Sequence, residues 1–87
     1  MALYVQKYGG TSVGSVERIE AVAEKIQGFK RQGHDIVVVV SAMSGETNRL
    51  IGLAKEIQPH TPNPREMDVL VSTGEQVNIA LLCMALE

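Results

Sequence analysis

The sequence predicts an α/β fold in which parallel strands are flanked by helices. Two apolar segments typical of strands, residues 2–8 and Ile36–Val40, lie on either side of one amphipathic segment. Ile36–Val40 is an unbroken apolar run, which is typical of a strand buried on both faces of a parallel sheet. Strand, helix and strand within roughly 40 residues form a βαβ unit, whose crossover is expected to be right-handed.

The first helix is predicted over about residues 15–32. Ser15 is a candidate N-cap, and Lys30 would lie in the last turn, where a cation complements the helix dipole. Gly33 follows as a residue suited to the turn beyond a helix end. The apolar stripe that would face the core consists of Ile19, Val22, Ala23, Ile26 and Phe29.

Two further helical segments are predicted. One spans about residues 47–57, and the other begins near Asn63, after a loop that contains prolines. Ser72-Thr73-Gly74 interrupts the second pattern, so we expect a kink or a new helix at that point. From Val77 onward the sequence is apolar on nearly every side, which predicts a buried helix with Cys83 as a small buried side chain.

Composition limits the function classes. The 87 residues have a net charge of -2 and no basic stripe, so we expect no nucleic-acid partner. A single cysteine excludes an internal disulfide, fits a reducing compartment and leaves no zinc ligand set. There is no signal-peptide pattern, and the apolar run Ile79–Leu86 is too short to span a membrane. We therefore expect a cytoplasmic protein without a membrane partner.

A glycine-rich segment, Lys7–Ser15, follows the first predicted strand, at the sheet edge where open parallel sheets bind ligands. Its glycines would let backbone N–H groups approach an anion, its hydroxyls add donors, and Lys7 adds a charge. It is not a Walker A loop, because Ser15 stands where that motif needs lysine, nor a dinucleotide fingerprint. The alternative is an ordinary strand-to-helix turn that requires glycine.

Two further polar segments compete for a functional role. Ser41–Asn48 follows the second predicted strand and should lie at the same sheet edge; alternatively, it is a flexible loop that ends in a helix cap. Ser72–Glu75 would be an ordinary cap if a helix began there. Its functional alternative is a carboxylate that pairs with a substrate ammonium group.

The three segments together resemble those of one enzyme family. Lys7-Tyr8-Gly9-Gly10-Thr11-Ser12-Val13 resembles the K-F/Y-G-G-S/T-S signature of aspartokinases. Val39–Asn48 resembles their second loop, and Ser72–Glu75 resembles their S-x-G-E segment. The order and spacing also match, so the resemblance covers the whole chain.

The resemblance implies part of the three-layer α/β/α amino-acid-kinase (carbamate-kinase-like) fold. The implied reaction converts ATP and L-aspartate to ADP and 4-phospho-L-aspartate, the first step towards lysine, threonine, methionine and diaminopimelate. ATP and Mg²⁺ are the implied cofactors, and the metal ligands would lie outside these residues. The implied catalytic residue is Lys7, with Tyr8, Gly9, Gly10, Thr11 and Ser12 beside it at the phosphate and Ser41, Thr47 and Glu75 at the aspartate.

Residues 1–87 are then expected to be the N-terminal part of a catalytic domain, without its remaining nucleotide site or the regulatory ACT domains. Such a piece should be inactive alone, and its exposed apolar surface predicts self-association. The full-length enzyme is expected to be an oligomer. Two alternatives remain: another amino-acid kinase, of the glutamate or acetylglutamate type, and a non-catalytic α/β binding module.

Overall fold

The computed structural model describes residues 1–87 and contains a βαβ unit followed by two helices. The strands are parallel neighbours, with Leu3 opposite Asp35 and Tyr8 opposite Val40. Both strands therefore end at the same sheet edge, as the sequence predicted. The elements in chain order are β1 (Leu3–Tyr8), α1 (Val16–Arg31), β2 (Asp35–Val40), α2 (Glu46–Ile57) and α3 (Pro64–Leu86).

Helix α1 begins and ends where its sequence signals predicted. The Ser15 hydroxyl oxygen accepts a hydrogen bond of 3.3 Å from the backbone N–H of Arg18, which satisfies one of the free donors of the first turn. Beyond the last turn, Gly33 adopts a positive φ of 87°. Four members of the apolar stripe are confirmed as core, because Ile19, Val22, Ala23 and Ile26 are buried. The fifth, Phe29, is half-buried outside that core, with its ring 5.3 Å from the ring of Tyr4.

The sheet has helices on one face only. Tyr8, Ile36 and Val38 pack against the core that α1 forms with Val40 and with Leu82 of α3. On the opposite face Val37 is 50% exposed and Val39 is 47% exposed. The prediction that Ile36–Val40 is buried on both faces is therefore wrong. A single layer of helices covers one face of the sheet and leaves Val37 and Val39 exposed on the other.

Helix α3 is continuous from Pro64 to Leu86, so no new helix begins at residues 72–74, and that half of the prediction is wrong. The hydroxyls of Ser72 and Thr73 donate hydrogen bonds to the carbonyl oxygens of Val69 (2.8 Å) and Leu70 (2.6 Å). These bonds to the preceding turn satisfy both hydroxyls within a continuous helix. An N-cap would instead have stood at the first residue of a new helix.

The second half of α3 is buried along one side only. Leu82 and Asn78 lie in the core, whereas Val77 and Met84 are more than half exposed. Cys83 is also exposed, so its predicted burial is wrong. By length and composition alone α3 could cross a membrane, a test that core helices of soluble proteins also meet.

Gly74 lies where α3 crosses the start of α2. A Cβ atom at this position would be 3.1 Å from the Cβ of Ala42 and 3.2 Å from the Cγ of Glu46. These distances are shorter than ordinary van der Waals contacts. Close packing against Ala42 and the start of α2 therefore favours glycine here, although glycine weakens a helix interior.

Two glycine-to-alanine substitutions should separate packing from helix propensity. Gly52→Ala in α2, where a Cβ meets nothing within 4 Å, should raise the free energy of unfolding by about 0.5–1 kcal/mol. Gly74→Ala should lower it by about 1 kcal/mol, because the gain in propensity is outweighed by overpacking. Urea denaturation followed by circular dichroism measures both, and equal stabilisation by the two substitutions would contradict the packing argument.

Candidate functional site

The loops that follow β1 and β2 lie against each other at the carboxyl edge of the sheet. The backbone N–H of Ser41 donates to the carbonyl oxygen of Tyr8, and that of Ser44 donates to Gly10, both at 3.1 Å. This contact confirms the expectation that the first two motifs share one edge. We call residues 9–15 the first loop and residues 41–45 the second loop.

Gly10 is the point of closest approach between the two loops. A Cβ atom there would be 3.1 Å from both the carbonyl oxygen of Ala42 and the backbone nitrogen of Ser44. At Gly9 a Cβ atom would meet nothing within 4 Å. Neither glycine has a positive φ, so the requirement at Gly10 is space and not backbone conformation.

The first loop has backbone donors available to an anion. Within it, the N–H of Ser12 donates to Gly9 (3.0 Å) and the N–H of Gly14 donates to Thr11 (3.4 Å). The N–H groups of Gly10 and Thr11 make no hydrogen bond within the protein. The loop leads directly into the N-terminus of α1, whose dipole favours negative charge.

Lys7 and Tyr8 leave β1 on opposite faces of the sheet. Lys7 lies opposite Val39, on the open face, where it is exposed and has no ion pair. The Tyr8 ring packs against the core, and its hydroxyl donates to the side-chain oxygen of Gln6 at 2.8 Å. Burial raises the pKa of Tyr8, so its phenol stays protonated. Of these two residues, Lys7 is the one that offers a charge on the open face beside the first loop.

A concavity of about 260 Å³ lies on the other side of the first loop. Tyr8 and Ser12 line it together with Arg18 and Lys25 of α1. Neither cation takes part in a salt bridge. Sequence reasoning missed these two residues, although their spacing of seven positions on one helix places them on one face.

The second loop ends at a helix start without a side-chain cap. Gly45 precedes α2 with a positive φ of 84°, and Thr47 is exposed in the first turn. Glu46 and Arg49 form two hydrogen bonds, of 2.6 and 3.1 Å. The hydrogen bond from Arg49 holds the pKa of the Glu46 carboxyl below its usual value. Sequence reasoning assigned no role to this pair.

Glu75 lies within α3, on the stretch of that helix that contacts the second loop. The preceding residue, Gly74, packs against Ala42, and Asn78, one turn later, hydrogen-bonds to Ser41. Glu75 itself is exposed and makes neither a hydrogen bond nor an ion pair. The structure thus brings the third motif next to the second, with Glu75 in the middle of a helix and not at its start.

Asn78 is the polar residue of this region that the sequence analysis missed. It is 1% exposed, and its Nδ2 donates to the carbonyl oxygens of Ser41 at 2.8 Å and of Val13 at 3.5 Å. Its Oδ1 is buried without a hydrogen-bond partner. A signal was available, because an asparagine within an apolar helical run must find a partner or stay exposed.

Known proteins resemble this chain over nearly its whole length. The model of the amino acid kinase family matches residues 2–87. An aspartokinase of Pseudomonas aeruginosa is 73% identical over 86 residues, and one of Geobacillus stearothermophilus is 58% identical over 86 residues. Each alignment covers 99% of this chain and 21% of the relative.

A solved structure shows the same fold. The crystal structure of aspartate kinase from Synechocystis superposes with a TM-score of 0.93 at 60% sequence identity, covering 97% of this chain and 14% of that one. This match confirms the predicted fold class of parallel strands and flanking helices. The chain spans about a fifth of the length of the curated relatives that it matches. Because the family model extends over nearly every residue, the chain belongs to the amino acid kinase family.

Proposed function

We propose that this chain is part of an aspartokinase, which transfers a phosphoryl group from ATP to the side-chain carboxylate of L-aspartate and yields 4-phospho-L-aspartate. The observation that supports it best is the meeting of three motifs at one sheet edge: a loop with free amides, a second loop packed on it, and a helix with an unpaired carboxylate. The two relatives named as aspartokinases, 58% and 73% identical to this chain, support the same substrate.

The chemistry of the reaction fits these residues. A side-chain carboxylate has an ordinary pKa of about 4, so aspartate is already a nucleophile at neutral pH and needs no general base. The protein must instead bring two anions together and neutralise their repulsion. The exposed cation of Lys7 and the free amides of Gly10 and Thr11 are suited to that task.

We assign the phosphate of ATP to the first loop. Lys7 would act as the catalytic residue, contacting the transferring phosphoryl group, and the segment Tyr8–Ser12 would surround the phosphates. The Tyr8 side chain faces the core, so its contribution would be to hold the loop.

We assign aspartate to the second loop and α3. Thr47 lies in the first turn of a helix without a side-chain cap, where a carboxylate is favoured. Glu75 is an unpaired carboxylate suited to the substrate ammonium group. Ser41 is the first residue of the second loop. Its N–H donates to the Tyr8 carbonyl, and its carbonyl accepts from the Asn78 side chain.

Mg²⁺ would accompany ATP. No group of three or more His, Cys, Asp or Glu residues comes together here, and we infer that the Mg²⁺ ligands other than the ATP phosphates lie outside these residues. We infer that residues 1–87 are the N-terminal part of a catalytic domain whose other parts bind the adenine and the metal, followed by ACT domains. The enzyme would be cytoplasmic and act in lysine, threonine, methionine and diaminopimelate biosynthesis.

The open face of the sheet carries exposed apolar side chains, which bears on whether the chain associates with copies of itself. Leu3 and Val5 are 67% and 71% exposed, beside the half-exposed Val37 and Val39. An apolar surface of this kind favours contact with further protein. We propose that the isolated chain self-associates and that the full-length enzyme is an oligomer, which light scattering after size exclusion would measure.

A chimaera tests the function. In it, these 87 residues replace the matching segment of the Pseudomonas aeruginosa aspartokinase, and hydroxylamine traps the acyl phosphate that forms from ATP and the acceptor. We expect turnover with L-aspartate and none with L-glutamate or N-acetyl-L-glutamate. The isolated chain should show no turnover. A folded but inactive chimaera would favour the non-catalytic alternative, and preference for a glutamate acceptor would favour the other kinases.

A further inference from the structure

We propose that Asn78 is a positioning residue that holds the second loop in place through the Ser41 carbonyl and thereby sets the affinity for aspartate. This inference rests on the proposed function for its kinetic consequence. The structural half of the inference is that a side chain of α3 joins the two loops, and it rests on the hydrogen bonds of Asn78 alone.

The geometry singles out Asn78 among the residues of α3. Its Nδ2 donates a hydrogen bond of 2.8 Å to the carbonyl oxygen of Ser41 in the second loop and a longer one of 3.5 Å to that of Val13 in the first loop. Only two backbone hydrogen bonds otherwise join the second loop to β1 and the first loop, those from Ser41 and Ser44. Asn78 therefore adds a third connection, and it comes from the helix that contains Glu75.

Because Oδ1 has no partner, the Nδ2 donor is the end of the amide that can hold the second loop. A buried acceptor without a partner is destabilising, so an apolar side chain of similar size would pack at least as well. The amide retains a benefit only through the two protons of Nδ2. Because the bond of 2.8 Å goes to Ser41, the second loop should depend on it more than the first.

Asn78→Leu should separate stability from function. The substitution removes the unpaired Oδ1 but also leaves the Ser41 carbonyl without its donor, so we expect the melting temperature of the chain to fall by up to about 8 °C. In the chimaera the KM for aspartate should rise roughly tenfold, the equivalent of one hydrogen bond, while the KM for ATP changes less than twofold. A purely structural role would leave both KM values unchanged at temperatures well below melting.

Asn78→Asp gives a readout that depends on pH. The introduced carboxylate would face carbonyl oxygens in a buried position, and no ionisable side chain hydrogen-bonds to this residue. Burial raises the pKa of such a carboxyl, so the folded protein binds its proton more tightly than the unfolded chain does. The protonated group can again donate to Ser41. The loss in stability and in aspartate affinity should therefore be large at neutral pH and shrink as the pH falls towards 5.

Gln76→Glu is the matched control. It makes the same change of amide to carboxylate at an exposed position of the same helix, two residues away. We expect melting temperature and both KM values to stay near those of the unsubstituted chimaera at every pH. The same pH dependence in this control would overturn the assignment to Asn78.

Hydrogen exchange on the 87-residue chain tests the joining of the loops without any assay of activity. In Asn78→Leu, the Ser44 amide, which bonds to Gly10, should exchange at least tenfold faster than in the unsubstituted chain, whereas amides in the middle of α1 should not. Unchanged exchange at Ser44 would overturn the inference. An active chimaera in which Asn78→Leu leaves the KM for aspartate unchanged would also overturn the inference. An inactive chimaera without the substitution would refute the proposed function instead.

Discussion

Lys7→Ala in the chimaera is expected to lower kcat by about 10³-fold, the scale on which removal of a cation at a transferring phosphoryl group acts. Lys7 is exposed, lies on the open face of the sheet and makes no ion pair. Its removal should therefore change the free energy of unfolding by less than about 0.5 kcal/mol. Steady-state kinetics with trapped acyl phosphate, together with urea denaturation, measures both quantities.

Lys55→Ala is the control for the loss of a positive charge. Lys55 is exposed in the last turn of α2, away from the first loop, and it also has no ion pair. Its substitution should leave kcat within twofold of the parent. Near-normal turnover of Lys7→Ala, or an equal loss in both variants, would rule out the catalytic role of Lys7.

Gly10→Ala should separate the two loops and reduce both stability and activity. The new Cβ would be 3.1 Å from backbone atoms of Ala42 and Ser44, which cannot move aside as a flexible side chain can. We expect a loss of about 1–3 kcal/mol in the free energy of unfolding. The kcat of the chimaera should fall about 10²-fold, because a displacement near 1 Å is enough to spoil alignment for phosphoryl transfer.

Gly9→Ala is the matched control, because it adds the same methyl group one residue earlier in the same loop. A Cβ at Gly9 meets nothing within 4 Å, and neither glycine needs a positive φ. Gly9→Ala should therefore leave the stability within about 0.5 kcal/mol of the parent. Equal destabilisation by the two substitutions would show that the loop needs glycine for its conformation and not for the contact with the second loop.

Local sequence signals predicted the βαβ unit and the place of the first two motifs. The period of the apolar residues predicted α1, and Ser15 and Gly33 predicted its ends because caps act over a few residues. The carboxyl ends of neighbouring parallel strands lie at one edge of a sheet, so the order of the strands was enough to place the loops after Tyr8 and Val40 together.

The contacts of α3 could not be predicted in this way. Ser72 and Thr73 resemble an N-cap in sequence, but in the structure α3 continues through them and their hydroxyls bond to the preceding turn. Gly74 looks like a helix breaker until Ala42 is seen against it. Exposure of Cys83 likewise depends on which side of the helix α1 covers.

The sequence by itself therefore determined the fold class, the family resemblance and the residues of the three motifs, since each is a property of neighbouring residues or of a fixed order along the chain. Tertiary structure alone decided that Gly10 touches the second loop, that the helices cover the face of Tyr8 and leave the face of Lys7 open, and that Asn78 joins the two loops. Asn78 lies 37 positions from Ser41 and 65 from Val13. A contact across such separations is set by how α3 packs on α1 and α2, because no local preference links residues so far apart in the chain.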